Sequence, residues 1–328
     1  MAWVEHRRFT GRIYPAGLHL PVEVSLCFNT NQTDKFESED GVSPMKKAVA
    51  LIGYPLKHSI SLCFQQAAFD YYSLDISYEN WETDSTQLET TVKRLRQPSM
   101  LGANVTIPHK EEVIPLLDEM DKLAVHIGAV NTIVNRDGRL SGYNTDSPGF
   151  VKALRQDGGF ECRGKSALLL GAGGAARAVA FALIKEGVRR LSIVNRTEER
   201  AEVLTASLRK EAQGNVKMTV LSWEVLRSGK ALSGYDLLVN CTSIGMRHSA
   251  MEGKTPLEAS LIPKGALVCD LVYNPEETPL LKESKKAGAA VMGGLSMLVY
   301  QGAASFELWA GREAPVDIMF RRAREVLD

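Results

Sequence analysis

Two charged side chains near the ends of predicted strands could carry out proton transfer. Lys110 closes the stretch GANVTIPHK (102–110), and Asp146 closes GYNTD (142–146). An ammonium group held by a carboxylate can exchange a proton with an oxygen on which charge develops, as the interconversion of a carbonyl and an alcohol by hydride transfer requires. A lone lysine is usually a surface residue, and a lone aspartate usually caps a helix. The amide and hydroxyl side chains beside both residues favour a cleft, and we expect Lys110 and Asp146 to form a catalytic pair.

Two hydroxyl side chains follow the first predicted strand. Ser59 and Ser61 end the stretch GYPLKHSIS (53–61), at a strand-to-helix turn where open α/β sheets bind ligands. Hydroxyl groups at positions i and i+2 can bind a carboxylate or a polyol. The alternative is ordinary helix capping, and these two residues alone do not decide between the two interpretations.

A glycine-rich turn indicates a nucleotide site. In SALLLGAGGAARA (166–178) an apolar strand leads into Gly171, Gly173 and Gly174 and then into helix-forming residues. Gly171 suits the tight turn, Gly173 allows the backbone to approach a pyrophosphate, and Ala176 is the small residue where the helix packs on its strand. The exposed amides at the start of the helix favour an anion. The alternative is that the glycines serve only a positive φ.

The residues after the next strand predict which dinucleotide is bound. An enzyme that prefers NAD generally places a carboxylate there, whereas this chain has Asn195 followed by Arg196, with Arg200 one helical turn further on. Two guanidinium groups could close on a 2′-phosphate, and we therefore predict NADP. The alternative is that both arginines are solvated and partly neutralised by Glu198 and Glu199.

These residues need a framework that brings them together, and the apolar pattern predicts one. Apolar strands alternate with amphipathic segments from residue 48 onward in two successive units, the first ending near residue 143. Such alternation implies an α/β fold with a parallel, doubly wound sheet. The pair Asp137-Gly138 predicts a hairpin turn, and we expect a helix to begin over 111–117.

Composition narrows the class of protein. The 328 residues carry a formal net charge of +0 at pH 7 and are long enough for about two domains. No basic excess favours nucleic acid or an anionic membrane surface, and no apolar run approaches the roughly 20 residues of a membrane span. The 5 cysteines show neither C-x-x-C spacing nor a disulfide framework, so we expect a cytoplasmic protein without a metal site. Residues 1–44 are polar without usable periodicity, and we expect a disordered or non-native extension there.

Eight motifs together resemble the shikimate and quinate dehydrogenase family. They are, in chain order, GYPLKHSIS (53–61), GANVTIPHK (102–110), GAVNT (128–132), GYNTD (142–146), GAGGAARA (171–178), NRT (195–197), NCTSIGM (240–246) and MLVYQGA (297–303). Each motif is modest alone, but all of them in this order are specific. The resemblance covers nearly the whole chain from Lys46 onward.

The resemblance implies a two-domain α/β protein. An N-terminal α/β substrate-binding domain would comprise residues 45–145 and 294–328, and a Rossmann-type, doubly wound NADP-binding domain would comprise residues 146–293. It also implies the reversible NADP-dependent reduction of 3-dehydroshikimate to shikimate, in the shikimate pathway of aromatic amino-acid and chorismate biosynthesis. The protein would be a monomer or a homodimer that acts on a small molecule.

The resemblance also implies roles for individual residues. Lys110 and Asp146 would form the catalytic pair. The substrate would be bound by Ser59, Ser61, Thr106, Asn131, Asp146 and Gln301. The cofactor would be bound by Gly171, Ala172, Gly173, Gly174, Ala175, Asn195, Arg196, Thr197, Arg200, Thr242, Met246, Tyr273 and Gly294. The nicotinamide would lie near Met246 and Gly294.

Three positions depart from the family pattern and bear on substrate selectivity. Leu62 stands where a proline is usual, Gln65 where a histidine is common, and Ser296 where a glycine is common. Two alternative functions therefore stay open: a quinate or dual quinate/shikimate dehydrogenase and, from another class, a non-catalytic NADP-binding regulatory protein. The presence of both Lys110 and Asp146 speaks against the regulator, because a sensor needs no proton-transfer group.

Overall fold

Two six-stranded sheets form the framework of the protein. The computed structural model describes residues 46–57, 59–212, 216–227 and 232–327. The expectation of a disordered or non-native extension over residues 1–44 lies outside these ranges. No helix within the described ranges is both long and apolar enough to cross a membrane.

The first sheet is mixed. Its strands are β1 (Lys47–Gly53), β2 (Ile76–Glu82), β3 (Met100–Val105), β4 (Glu119–Met120), β5 (Thr132–Arg136) and β6 (Arg139–Tyr143). They lie in the order β2-β1-β3-β5-β6-β4, with β1 parallel to β2 and β3 and with β5 antiparallel to β3 and β6. Asp137 and Gly138 both have positive φ between β5 and β6, which confirms the predicted hairpin turn.

The second sheet is wholly parallel. Its strands are β7 (Ser166–Leu170), β8 (Arg190–Val194), β9 (Lys217–Val220), β10 (Leu237–Asn240), β11 (Leu267–Asp270) and β12 (Ala290–Met292). Their spatial order is β9-β8-β7-β10-β11-β12, the strand order of a Rossmann fold, with a topological switch point between β7 and β10. Every residue of β7 is buried, as a strand covered on both faces requires. The predicted Rossmann-type sheet is confirmed.

Helices cover both sheets. Those that follow strands of the first sheet are α1 (Ser61–Tyr71), α2 (Leu88–Arg94), α3 (Lys122–Ile127) and α4 (Asp146–Gln156). Those of the second sheet are α5 (Gly174–Lys185), α6 (Glu198–Glu211), α7 (Trp223–Arg227) and α8 (Pro279–Lys286). The chain ends in α9 (Leu295–Ala310) and α10 (Val316–Leu327).

After the second sheet, α9 returns to the first. Phe306 of α9 is buried in the same apolar cluster as Val49 of β1 and Phe64 of α1. The indole of Trp309 donates a hydrogen bond to the carbonyl of Ile133 in β5 at 2.9 Å. Apolar burial and this directional bond together hold α9 against the first sheet, although it follows the second sheet in sequence.

The prediction of a helix over 111–117 is wrong. The segment is a series of turns with a short 3₁₀ helix at Ile114–Leu116. Pro115 lies inside it, and a proline there lacks the amide donor of an α-helix and its ring clashes with the carbonyl four residues earlier. The turns keep Lys110 and its neighbours close to the end of β3.

Candidate active site

A cleft opens between the two sheets at the carboxyl ends of their strands, the edge where α/β sheets bind ligands. Nine residues predicted for the site line it. From the first sheet and its connections come Ser61, Thr106, Lys110, Asn131 and Asp146, from the second come Ala175, Tyr273 and Gly294, and from α9 comes Gln301. The return of α9 therefore brings Gln301 to the cleft.

Lys110 and Asp146 form a close ion pair in this cleft. Nζ of Lys110 lies 2.5 Å from Oδ2 of Asp146, and the two side chains are 14% and 4% exposed. The main-chain carbonyl of Lys110 accepts a hydrogen bond from the amide of Val130 at 2.8 Å, which fixes the turn beneath the side chain. Asp146 is the first residue of α4, where the helix dipole favours a negative charge. An ammonium that is shielded from water yet open to the cleft can exchange a proton with a ligand there.

Asn131 connects the carboxylate to α9. Its Nδ2 lies within hydrogen-bond distance of Asp146 Oδ1 (3.0 Å), Gln301 Oε1 (3.0 Å) and Thr145 Oγ1 (2.8 Å). Its Oδ1 accepts from the main-chain amide of Thr145 at 2.7 Å. Because an amide nitrogen carries only two hydrogens, three acceptors compete for them, and a ligand hydroxyl can supply the missing donor.

A buried layer of polar side chains supports the site from behind. Ser305 of α9 shares hydrogen bonds with Thr132 at 2.7 Å and with Thr145 at 3.0 Å. Asn104 donates to Ser305 at 3.1 Å and accepts from the hydroxyl of Tyr78 at 2.8 Å. Burial raises the pKa of Tyr78, so its hydroxyl remains protonated as a donor. This network holds the turn before Asp146 and α9 in one arrangement.

The two predicted serines lie beside a tyrosine from the second sheet. Ser61 begins α1, and its amide donates to Oγ of Ser59 at 3.3 Å. The N-cap position is Ile60, so neither serine is the N-cap residue of α1. The Tyr273 hydroxyl faces Ser59 and the Ile60 amide. Burial raises the pKa of Tyr273, and these two neighbours oppose the rise. Tyr273, predicted for the cofactor, thus reaches the serines.

The glycine-rich turn after β7 has the features of an anion site. Gly171 has φ of 112°, and a Cβ there would lie 3.2 Å from the Cys241 carbonyl oxygen. A Cβ at Gly173 would meet no atom within 4 Å, so that space is open. The first turn of α5 has no acidic residue and no side-chain cap, which leaves its amides free to bind an anion.

Gly174 contacts the turn that carries Lys110. A Cβ at Gly174 would lie 2.8 Å from Cβ of Lys110 and 3.2 Å from its Cδ. The aliphatic stem of the lysine therefore rests on the first residue of α5. Although the sequence suggests a purely nucleotide-binding role for this glycine, it also contacts the side chain of Lys110.

The residue directly after β8 is Asn195 rather than a carboxylate, and Arg196 follows it. Nδ2 of Asn195 donates to the carbonyl of Thr197 at 2.7 Å, which closes the turn into α6. Arg196, Thr197 and Arg200 are exposed. Two guanidinium groups at the start of one helix suit a phosphate group better than ribose hydroxyls alone.

A buried carboxylate, Asp270, orders the turn that follows β10 in the second sheet. Asp270, 1% exposed at the end of β11, accepts from Asn240 at 2.8 Å and from Thr278 at 2.6 Å. Asn240 in turn accepts from the amide and the hydroxyl of Thr242 at 3.0 and 2.6 Å. Burial raises the pKa of Asp270 to about 6, against the smaller opposing effect of these hydrogen bonds. Asp270 therefore positions the turn that carries Thr242 and Met246.

Two residues at the site had no sequence signal of their own. Glu111 forms an ion pair with Arg177 of α5, with 2.9 Å between Oε2 and Nε. The only local signal for Glu111 was that it follows Lys110 in the chain, and no local pattern predicts a contact between positions 66 apart.

Ten of the predicted cofactor residues do not line the cleft. They follow β7, β8 and β10 and are Gly171, Ala172, Gly173, Gly174, Asn195, Arg196, Thr197, Arg200, Thr242 and Met246.

Three family models match the chain. The shikimate dehydrogenase substrate binding domain matches residues 51–133, the shikimate / quinate 5-dehydrogenase family matches residues 153–247, and the shikimate 5′-dehydrogenase C-terminal domain matches residues 294–324. The matched ranges include Ser59, Lys110, Arg196 and Gln301. The matches follow the order of the motifs along the chain.

The chain is similar to known proteins over most of their length. A curated shikimate dehydrogenase (NADP(+)) from Moorella thermoacetica is 45% identical over 284 residues, 85% of this chain and 93% of that protein. The crystal structure of shikimate 5-dehydrogenase from Thermus thermophilus in complex with NADP(H) and shikimate is 38% identical, with a TM-score of 0.74 over 86% of this chain and 100% of that one. Quinate dehydrogenase from Corynebacterium glutamicum in complex with NAD is 28% identical, with a TM-score of 0.76 over 85% and 99%. These matches confirm the resemblance of the eight motifs, and the chain belongs to the shikimate dehydrogenase family.

Proposed function

We propose that this protein catalyses the reversible, NADP-dependent reduction of 3-dehydroshikimate to shikimate. The observation that carries the proposal is the Lys110–Asp146 pair, 2.5 Å apart in a cleft that both sheets line. The names of the curated relatives specify the same reaction and cofactor. A regulatory protein would have no use for an ammonium group held in this way, which argues against the non-catalytic alternative.

The turns that follow β7 and β8 at the carboxyl end of the second sheet fit NADP. The open space at Gly173 and the uncapped start of α5 suit a pyrophosphate, and Arg196 and Arg200 suit a 2′-phosphate. Asp270 holds the turn that would contact the nicotinamide half through Thr242. When bound, NADPH supplies the hydride.

Proton transfer is the work of Lys110. In the reductive direction, its Nζ gives a proton to the substrate oxygen that becomes the new hydroxyl, and in the oxidative direction it takes the proton back. Asp146 keeps the ammonium group beside that oxygen and balances its charge. The ammonium also stabilises the negative charge that develops on the oxygen, which is most effective where water is largely excluded.

The substrate contacts are assigned to polar side chains that line the cleft and to Ser59, which does not line it but contacts Ser61. Ser59 and Ser61 would bind the carboxylate, because two adjacent hydroxyls can donate to it together. Tyr273 joins this group because its hydroxyl lies against Ser59. The ring hydroxyls would meet the remaining predicted residues, which are Thr106, Asn131, Asp146 and Gln301.

Quinate differs from shikimate by one more hydroxyl, and pockets discriminate such analogues by only a few kcal/mol. Gln65, one of the departures from the family pattern, is buried and donates to the Gly302 carbonyl at 2.9 Å. It therefore contacts α9 at the residue that follows Gln301. We assign shikimate as the substrate because the pair Ser59 and Ser61, together with Arg196, favours a shikimate dehydrogenase over a quinate dehydrogenase.

The experiment combines two substrates with two cofactors. Purified full-length protein is mixed with NADP⁺ or NAD⁺ and with shikimate or quinate, and the reduced cofactor is followed by absorbance. We expect the highest kcat/KM for shikimate with NADP⁺. A higher value for quinate would favour the quinate alternative, and NADP⁺ binding without any reduction would favour the regulator.

The division of labour in the chain follows the two sheets. We assign residues 45–145 and 294–328 to substrate binding and residues 146–293 to NADP binding, supported by α9 packing on the first sheet. We further propose that the protein acts in the cytoplasm as a monomer or homodimer. The cysteines at 162, 241 and 269 are free thiols, as a reducing compartment favours. Burial raises their pKa values, which keeps them unreactive.

A further inference from the structure

We infer that Glu111 is a positioning residue that ties the turn carrying Lys110 to α5 and that competes with the 2′-phosphate of NADP for Arg200. The inference rests on the proposed function, because it concerns the same cleft and the same cofactor. It assigns a role to a residue that contacts neither the reacting atoms nor, in this structure, the lysine's ammonium group.

One carboxylate of the first sheet faces two guanidinium groups of the second. Oε2 of Glu111 lies 2.9 Å from Nε of Arg177 in α5, and the two side chains are 34% and 15% exposed. Oε1 of the same residue lies 3.8 Å from a terminal nitrogen of Arg200, at the start of α6. A charge-assisted hydrogen bond to the less exposed arginine is the stronger of the two contacts.

A second, independent contact joins the same two segments. The stem of Lys110 packs on Gly174, where a Cβ would lie only 2.8 Å from Cβ of the lysine. Gly174 and Arg177 are one helical turn apart on α5, and Lys110 and Glu111 are neighbours in the chain. The catalytic turn is therefore attached to α5 at two points, and a displacement of α5 relative to the first sheet would displace Lys110.

The contact with Arg200 opposes NADP. A 2′-phosphate at the end of β8 would take Arg200 as a partner, and the carboxylate of Glu111 near the same guanidinium would repel it. NAD has no 2′-phosphate and would not meet this opposition. Arg200 is 61% exposed, so its pair with Glu111 is weak and screened by salt. Glu111 thus lowers NADP affinity slightly while it holds Lys110 in place.

The test is Glu111→Gln in the full-length protein. Glutamine can still accept a hydrogen bond from Arg177, but it carries no charge. We expect the Kd of NADP⁺, measured by titration calorimetry, to fall about two- to fivefold, as for an exposed ion pair, with the Kd of NAD⁺ unchanged. The kcat of shikimate oxidation should fall about three- to tenfold, because a neutral hydrogen bond is weaker than a charge-assisted one, with little change in the KM of shikimate. The gain in NADP⁺ affinity should shrink in high salt.

Two further variants separate positioning from general damage. Glu119→Gln breaks a comparable exposed ion pair, to Arg139 at 2.8 Å within the first sheet, and should change neither affinity nor kcat. Arg177→Ala should lower kcat, and adding Glu111→Gln to it should lower kcat little further, because both remove one attachment.

Tighter NADP⁺ binding together with slower turnover is the signature that a merely structural role would not produce. Unchanged NADP⁺ affinity, or equal weakening of both cofactors, overturns the inference. Failure of the wild-type protein to oxidise shikimate would instead overturn the proposed function, and the comparison of NADP⁺ with NAD⁺ affinity would still test Glu111.

Discussion

Lys110 pairs with a nearly buried carboxylate, and the burial of that partner determines how a substitution of Lys110 affects stability. The Asp146 side chain is 4% exposed, and its other oxygen accepts from Asn131 at 3.0 Å. Removing one member of such a pair leaves an uncompensated charge, which destabilises a fold as well as stopping chemistry. Tests of this pair therefore need a stability measurement beside the kinetics.

Lys110→Ala should lower kcat by about 10²–10⁴-fold, the usual contribution of a general acid or base. The KM of shikimate should change little, because the proton is needed mainly in the transition state. Steady-state kinetics with shikimate and NADP⁺ measure both constants, and thermal unfolding shows whether the variant is folded. An intact kcat with a raised KM would make the lysine a binding residue and contradict the catalytic assignment.

Asp146→Asn supplies the control for coupling within the pair. It should also lower kcat, because an amide cannot balance the ammonium charge. The double variant should be only slightly worse than Lys110→Ala, since the two groups act together. Additive losses in activation free energy would mean that the two residues act independently.

Asp270 predicts a pH dependence of stability. An ordinary aspartate has a pKa near 3.8, and burial raises that of Asp270 to about 6. The folded protein therefore holds a proton that the unfolded chain has lost between these values, so the free energy of unfolding falls as pH rises through this window. The difference between the two pKa values corresponds to about 3 kcal/mol, the cost of the ionised carboxylate above about pH 6.

Asp270→Asn removes this titration and keeps the shape, with the amide nitrogen able to donate to Thr278. Relative to wild type, the variant should gain about 2 kcal/mol of stability between pH 4.5 and pH 7.5, as measured by urea unfolding. Wild type and variant with parallel pH dependence would show that Asp270 does not titrate in this range.

At the scale of elements, the turn between β7 and α5 serves two purposes through neighbouring glycines. A methyl group at Gly173 would enter open space, whereas one at Gly174 would press on Lys110. The backbone can accept alanine at both positions, since Gly173 is extended and Gly174 is helical. The two substitutions therefore differ mainly in what the added methyl group meets.

Gly174→Ala should lower kcat about ten- to a hundredfold, because displacing a catalytic group by about 1 Å costs up to that factor. Gly173→Ala should instead raise the KM of NADP⁺ and affect kcat less, because its methyl group would occupy space left for the pyrophosphate. Steady-state kinetics with varied NADP⁺ distinguish the two patterns. Identical effects of both variants would show that Gly174 has no special relation to Lys110.

The return of α9 is the second decisive element. Gln301 reaches the cleft from α9, and a Cβ at Gly149 of α4 would lie 2.8 Å from Cβ of Gln301. Ser305, one turn later, bonds the polar layer behind Asn131. Close packing of α4 on α9 therefore places Gln301 near Asp146, which begins α4.

At the scale of the whole molecule, the two sheets meet around one cleft, and the described residues belong to one compact unit. Residues of the first sheet, of the second sheet and of α9 all line the cleft.

Deletion of residues 1–44 should leave a folded and active enzyme, because β1 begins at Lys47 and every proposed site residue follows it. The truncated and full-length proteins should have kcat/KM values within about twofold and similar urea midpoints, as for changes outside the core. Loss of cooperative unfolding or of activity on truncation would show that the segment contributes to the fold or the site.

Local sequence patterns were sufficient for much of this protein. The strand, turn and helix of 166–178, the hairpin at Asp137-Gly138, and the order of the eight motifs all depend on residue types within a few positions, and the structure or the relatives confirm them. The one helix predicted wrongly, over 111–117, contains a local signal against it at Pro115.

The distances that make a site of these residues depend on long-range packing. Lys110 and Asp146 are 36 positions apart, Glu111 and Arg177 are 66 apart, and Asn131 and Gln301 are 170 apart. Periodicity and turn chemistry act over a few residues, so they predict that such side chains lie at strand ends. The pairing of Lys110 with Asp146 was expected from their chemistry, but the contact of Glu111 with Arg177 was not. Glu111 and Gly174 acquired their relation to Lys110 only where the first sheet packs against α5, because contact between distant segments is set by how their surfaces fit and by which buried charges find partners.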